Sequence, residues 1–270
     1  MINWKKYFDH IYCIHSTFYP ERLEKIKNEL QRVNILDSGI FSWKISSGDF
    51  VQYIEYNDVN YIYNPDDQNK NKLIDLCKNY AEIFEDTIIN DYQKILILED
   101  DIYFLKDLNL VKTILDNCPD FDICKFDWNC FFTWLNQDID HPNTIYHVGN
   151  INDYYCYYTW TTSTGITGYS NRICQYLLGK MKYFLYCNCM IPFDNVIARL
   201  CDDPIFLQYA DTNEEFLMQF NNPDVIKTVL SKKHIAMQMC YEYYMPSDYE
   251  LADKFGEMYR INKDEYNFSE

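Results

Sequence analysis

Lys94-Ile95-Leu96-Ile97-Leu98-Glu99-Asp100-Asp101 places four consecutive aliphatic residues directly ahead of three carboxylates. An unbroken aliphatic run of this length fits a strand buried on both faces. Upstream, Asp9 to Ile14 is a short β-prone run and Ser16 to Pro20 reads as a loop. Glu21 to Val33 follows as a helix, with Pro20 suited to its first turn and Leu23, Ile26, Leu30 and Val33 at helical spacing. Phe41 to Ile45 reads as a second strand and residues 46–71 as polar loop. Leu73 to Asn90 reads as a helix with Leu73, Leu76, Cys77, Tyr80 and Phe84 on one stripe. Beyond the acids, Leu108 to Leu115 is a further helix, and Asp122 to Asp127 a further buried strand ending in an acid. Strands alternating with helices predict the α/β class, with a mostly parallel central sheet flanked by helices. In such sheets ligands collect at the carboxyl ends of the strands, where these acids stand.

The chain has 270 residues, 48% of them hydrophobic and 18% aromatic, enough apolar material for a sizeable core and too much for bulk disorder. Lys and Arg total 24 against 41 Asp and Glu, a net charge of −17. That charge repels nucleic-acid phosphates and anionic membrane surfaces, so neither is an expected partner. No stretch approaches the roughly 20 apolar residues that span a bilayer. The opening Met1-Ile2-Asn3-Trp4-Lys5-Lys6 lacks the apolar core of a signal peptide, so a cytoplasmic location is expected. The 11 cysteines are scattered. Cys187 and Cys189 are close, but no pair of CxxC knuckles occurs, so reduced, buried thiols are expected rather than a structural zinc site. With only 7 Gly and 8 Pro no linker divides the chain, which predicts one domain over residues 1–250 and an irregular tail over 251–270.

Three adjacent carboxylates after Ile-Leu-Ile-Leu repel one another and raise one another's pKa. A divalent cation offsets that repulsion, and an all-oxygen ligand set suits Mg²⁺ or Mn²⁺. A solvated acidic turn is the alternative.

The segment Leu96-Ile97-Leu98-Glu99-Asp100-Asp101-Ile102 resembles the LEDD signature of glycosyltransferase family 25, which includes bacterial lipooligosaccharide galactosyltransferases and collagen galactosyltransferases. Further segments agree in order. Ile11 to Arg22 resembles the family's opening strand, loop and Pro-x-Arg, here Pro20-Glu21-Arg22. Gly165-Ile166-Thr167-Gly168-Tyr169-Ser170 and Ile191-Pro192-Phe193-Asp194 resemble its Gly-x-x-(Gly/Ala)-Tyr and Pro-x-Asp segments. The family usually has Asn-Leu where this chain has His15-Ser16, often a basic residue at Phe18, and commonly Ser-His near Asn79-Tyr80. These departures bear on the donor sugar and on activity, and leave the acids untouched.

The resemblance implies a GT-A type, Rossmann-like nucleotide-diphosphosugar transferase fold. It implies metal-dependent, inverting transfer of a hexose, galactose favoured, from a UDP-sugar to a hydroxyl on a glycan or glycoconjugate acceptor. Glu99-Asp100-Asp101 takes the place of the DxD motif, with Asp101 as first Mn²⁺ (or Mg²⁺) ligand, supported by Glu99 and Asp100. Ile14, His15, Ser16 and Arg22 fall near the nucleotide, where Arg22 would contact phosphate; a surface ion pair is its alternative. An inverting displacement needs a carboxylate to take the acceptor's proton. Asp194 is the first choice, a helix N-cap being its other role, and Asp127 the second. His234 is a further candidate metal ligand, or a plain surface residue. Tyr154 to Trp160 and the hydroxyl-rich Thr161 to Gly165 form a sugar wall or an aromatic core strand, with Trp160, Thr162, Thr164 and Gly165 the site candidates. A non-catalytic sugar- or nucleotide-binding protein on the same fold is the second function. A carboxylate-metal phosphohydrolase or nucleotidyltransferase, the third, needs a denser set of acids and histidines.

Overall fold

The computed structural model describes residues 1–46, 53–56, 59–62, 68–127, 147–158, 165–186, 227–238 and 263–267. Its centre is β1 (His10–Ser16) beside β5 (Lys94–Glu99), two parallel strands in register from His10↔Ile95 to Ile14↔Glu99. β2 (Phe41–Ser46) extends the sheet in parallel on the far side of β1. Alternation sends successive side chains of each strand to opposite faces. Ile11, Cys13, Leu96 and Leu98 join Ile26, Leu30 and Val33 from the region of α1 (Glu21–Arg32) and Val111, Ile114 and Leu115 of α3 (Leu108–Asp116) in one core. The other parity carries Tyr12, Ile95 and Ile97, all buried, toward the face that meets α2 (Gln68–Ile89). On that face Phe84 of α2 packs edge-on against Tyr169, with ring centroids 5.6 Å apart. The aliphatic run is therefore a central strand with helices on both sides, and every one of Ile95 to Leu98 is fully buried.

Among the described residues the sheet has eight strands: β2, β1 and β5 are followed in order by β10 (Ile166–Ser170), β7 (Ile123–Lys125), β11 (Thr228–Ser231), β9 (Tyr155–Tyr158) and β8 (His147–Asn150). The expected α/β class stands, but the sheet is mixed rather than simply parallel. β10 runs antiparallel between β5 and β7, and β9 runs antiparallel to β11 and β8. β10 leads directly into α4 (Asn171–Tyr186), which packs on α2. The aromatic segment expected as a sugar wall or core strand is a strand over Tyr155–Tyr158, with Tyr155 fully buried against Phe126.

Other differences from the sequence expectation are local. The supposed loop over 46–71 contains a hairpin, β3 (Tyr53–Tyr56) with β4 (Val59–Ile62), and α2 starts at Gln68, ahead of the expected Leu73. β6 (Ile102–Phe104) pairs antiparallel with β12 (Ala236–Gln238) in a small second sheet, Gln238 opposite Ile102 and Ala236 opposite Phe104. The tail is not wholly irregular either. Tyr266 bridges to Leu105 and is buried in the main core, while the backbone N–H groups of Lys106 and Asn267 bond to Glu265 and Phe104.

Buried Glu29 ties these pieces together. It accepts from Arg32 of its own helix, from the Phe104 amide at 3.1 Å and from the Asn267 side chain. No helix among the described residues is long and apolar enough to cross a membrane.

Candidate functional site

Parallel neighbours β1 and β5 end together, so Ile14 pairs with Glu99 in register and His15 and Ser16 reach Asp100. β7 points the same way, because it and β5 both run antiparallel to β10, and it brings Asp127 to the same pole. The start of β10 supplies Gly165, and β12 supplies Gln238. Five chain segments thus converge on one cluster of acids at the carboxyl ends of the strands.

The three adjacent acids have separate tasks. Asp100 is nearly buried and turned inward. Its Oδ2 lies 2.7 Å from His15 Nδ1 and accepts the Ser16 amide at 2.9 Å, and its Oδ1 accepts Arg22 at 3.2 Å. It fixes the end of β1 and the start of α1 to the end of β5. Glu99 accepts the Gln238 amide nitrogen at 2.7 Å, and the same nitrogen reaches Asp101 Oδ1 at 3.3 Å. Asp101 Oδ2 receives Arg22 at 3.3 Å. The two contacts of Asp101 are thus the longest of the set.

Burial therefore dominates the electrostatics of Asp101. It pushes the carboxyl up to about 6, with Arg22 pulling down and Asp100 and Asp127 adding to the rise. Arg22 is pulled down by its own burial, but Asp101 and Asp100 outweigh this and hold it above its ordinary value. Its guanidinium also stacks over the Tyr19 ring, 4.1 Å from the centroid, which orients it toward the acids.

Asp127 is fully buried and its Oδ1 accepts the Ile166 amide at 2.9 Å. Gly165 lies against it, and its carbonyl accepts the Glu99 amide at 2.9 Å. A Cβ at position 165 would stand 2.5 Å from Asp127 Oδ2 and 2.5 Å from Gln238 Cγ. Glycine is required because carboxylate and amide both close on its backbone.

Ile14, His15, Ser16, Arg22, Glu99, Asp100, Asp101, Asp127 and Gly165 are thus brought together. His234 is not. It lies beyond Ala236 at the end of β12 remote from Gln238, its carbonyl accepting the Tyr266 hydroxyl at 3.2 Å. It is buried, and burial with Lys233 pushes its pKa down to about 3, so the ring is neutral. Asp194, Trp160, Thr162 and Thr164 lie outside the described residues. Gln238 was missed by sequence reasoning, because a neutral amide in a short segment carries no signal before its register with β6 is known.

The donors fit a hard divalent cation chemically, being carboxylate oxygens with an excess of buried negative charge. Among the described residues no three His, Cys, Asp or Glu side chains are grouped to hold a metal ion unaided. Mg²⁺-type sites commonly use one or two carboxylates plus substrate phosphates, and Asp101 with Glu99 meets that requirement.

A polar cavity of about 430 Å³ lies at the opposite pole of the sheet, lined by Lys94, Asp120, Asp122, Arg172 and Lys227 among others. Its cations are matched by its own acids: Asp120 lies 2.9 Å from Lys94 and 3.6 Å from Lys227, and Asp122 takes Arg172. It is separate from the carboxylate cluster.

Compared with protein-family models and with curated proteins, the chain matches none.

Proposed function

We propose that the chain is a metal-dependent, inverting glycosyltransferase on a GT-A type fold, acting in the cytoplasm. It moves a hexose, galactose favoured, from a UDP-sugar to a hydroxyl on a glycan or glycoconjugate such as a lipopolysaccharide precursor. The observation that carries this reading is Asp101, a desolvated carboxylate at the end of a central strand, raised to about 6 inside a cluster of acids. Carboxylates perturbed by desolvation and by neighbouring acids are functional-site candidates. The resemblance of Leu96 to Ile102 and of the Arg22, Gly165 and Asp194 segments to glycosyltransferase family 25 supplies the reaction class.

Asp101, supported by Glu99, would hold the Mn²⁺ or Mg²⁺. Bound there, the ion supplies charge stabilisation to a departing diphosphate. Arg22, stacked on Tyr19 and shared between Asp100 and Asp101, would add a guanidinium to the same phosphates on releasing Asp101. His15 and Ser16, locked by Asp100, present the end of β1 to the nucleotide. Gln238 gives up its long contact to Asp101 and keeps Glu99 oriented. Asp194 takes the proton of the acceptor hydroxyl. Asp127, with one oxygen committed to the Ile166 amide, positions the Gly165 segment and stands second for that task.

A non-catalytic nucleotide- or sugar-binding protein is the second reading. It is favoured by the internal pairing of the acids, since Arg22 and Gln238 already engage all three. Incubation with a panel of UDP-sugars, with Mn²⁺ or EDTA, separates the two. Mn²⁺-dependent UDP release from one sugar, abolished in Asp101→Ala, is expected of the transferase. UDP binding without release from any sugar or offered acceptor supports the second reading. Absence of UDP binding overturns the transferase and leaves of the second reading only binding to a sugar without a nucleotide.

A further inference from the structure

Cys118 follows α3, and residues 118–121 pass without helix or strand into β7, which carries Cys124. The two sulfurs are 3.9 Å apart. Among the described cysteines Cys118 is part-exposed, whereas Cys13, Cys77, Cys124, Cys156 and Cys174 are buried. An outer thiol therefore stands directly over an inner one, on a segment that regular structure does not pin. The surroundings divide their protonation. The thiol of Cys124, joined by Tyr155 and the Lys94 ammonium, draws the Cys118 pKa below its ordinary value against the effect of burial. Burial and the neighbouring Cys118 hold Cys124 well above it. Thiolate character and access select the cysteine that oxidises first.

We propose that Cys118 and Cys124 form a peroxide-oxidisable dithiol, in which Cys118 reacts first and Cys124 resolves it to a disulfide. The Cys118 thiolate attacks one oxygen of hydrogen peroxide. The O–O bond breaks, sulfur keeps an OH as sulfenic acid, and the departing hydroxide takes a proton to become water. Cys124 then gives up its proton and attacks the Cys118 sulfur. The S–S bond forms, the S–O bond breaks, and hydroxide leaves with that proton as a second water. Two thiols and one peroxide give one disulfide and two waters. The sulfurs must close by about 2 Å to reach bonding distance, a movement that falls to Cys118, which stands outside both α3 and β7.

The sequence makes the test direct. Trypsin cuts after Lys112 and Lys125, releasing Thr113 to Lys125, which contains Cys118 and Cys124 and no other cysteine. The native full chain is treated with one equivalent of hydrogen peroxide, unfolded, alkylated with iodoacetamide and digested. The expected peptide is unalkylated, lighter by two hydrogens and restored to two alkylations by dithiothreitol. In Cys124→Ser the same peptide should gain oxygen at Cys118 instead. In Cys118→Ala, whose substitution leaves the inner core sulfur in place, Cys124 should stay alkylatable. Oxygen addition in place of hydrogen loss in the parent chain overturns the proposal. So does equally fast hydrogen loss in the urea-unfolded chain, or recovery of this peptide fully alkylated while other cysteines have oxidised.

Discussion

Replacing Asp101 by Asn should make the metal-free protein more stable at neutral pH, and the gain should depend on pH in one direction only. Asp101 is pushed from an ordinary 3.8 up to about 6 in the folded chain, chiefly by burial. The folded state therefore binds a proton there more readily than the unfolded state. Stability falls as pH rises from about 4 to about 6, and above that window the full cost of keeping the buried carboxylate ionised is present. The difference between 3.8 and about 6 corresponds to about 3 kcal/mol, at ~1.4 kcal/mol per pH unit. Asn has the shape of the neutral acid without its charge, so Asp101→Asn should recover about that much at pH 7–8 and nothing below pH 4. His234 works in the opposite sense. Its pKa is held near 3 against an ordinary 6.5, so it adds stability as pH rises through that interval. Taking variant minus parent at each pH cancels this contribution. The assay is urea unfolding in EDTA from pH 4 to 8, each series fitted by linear extrapolation. Adding Mn²⁺ should then stabilise the parent and leave the variant unmoved, because only a native state that binds the ion gains from it. A variant less stable than the parent at pH 7, or a gain that stays constant with pH, would refute the assignment of Asp101 as the desolvated acid of the cluster.

Gly165→Ala places a Cβ 2.5 Å from Asp127 Oδ2 and 2.5 Å from Gln238 Cγ. One of them must move, at about 1–3 kcal/mol of stability, and any UDP release should fall with it. Glu29→Ala removes the acceptor of Arg32, the Phe104 amide and the Asn267 side chain. A loss of about 2 kcal/mol is expected from urea unfolding, because the buried Phe104 amide loses its acceptor while Arg32 keeps only the carbonyls of Phe104 and Leu105. Arg22→Ala removes the cation that pulls the Asp101 pKa down. The Asp101 carboxyl, followed by carbon-13 shift against pH, should then titrate above about 6; an unchanged midpoint would show that Arg22 does not hold Asp101.

The physics that was legible in the sequence is the physics of local pattern. Ile95 to Leu98 fitted a central strand because an unbroken aliphatic run suits a strand buried on both faces. Glu21 to Val33 read as a helix because its apolar residues recur at that period, and the helix ends one residue earlier, at Arg32. The pole at which the acids gather followed from their place after aliphatic runs, at the carboxyl ends of strands. Pairing direction itself leaves no such mark. β10 reads Ile-Thr-Gly-Tyr-Ser whether it runs with its neighbours or against them, and only its register with Leu98 and Lys125 shows that it is reversed. The hairpin of β3 and β4 was hidden by its Tyr, Asn and Glu content, which resembles loop when no core partner is known. The division of labour among the acids was equally invisible. Three adjacent letters became an inward tie at Asp100, an amide-held Glu99 and a desolvated Asp101 because neighbouring residues at a strand end point different ways. Each meets a different combination of elements: the end of β1 and α1 for Asp100, β12 for Glu99, and both α1 and β12 for Asp101. Sequence chemistry names the charged atoms of such a site, but the tertiary register decides which of them is held by the longest contacts. Those long contacts, at Asp101, are the ones a cation would replace.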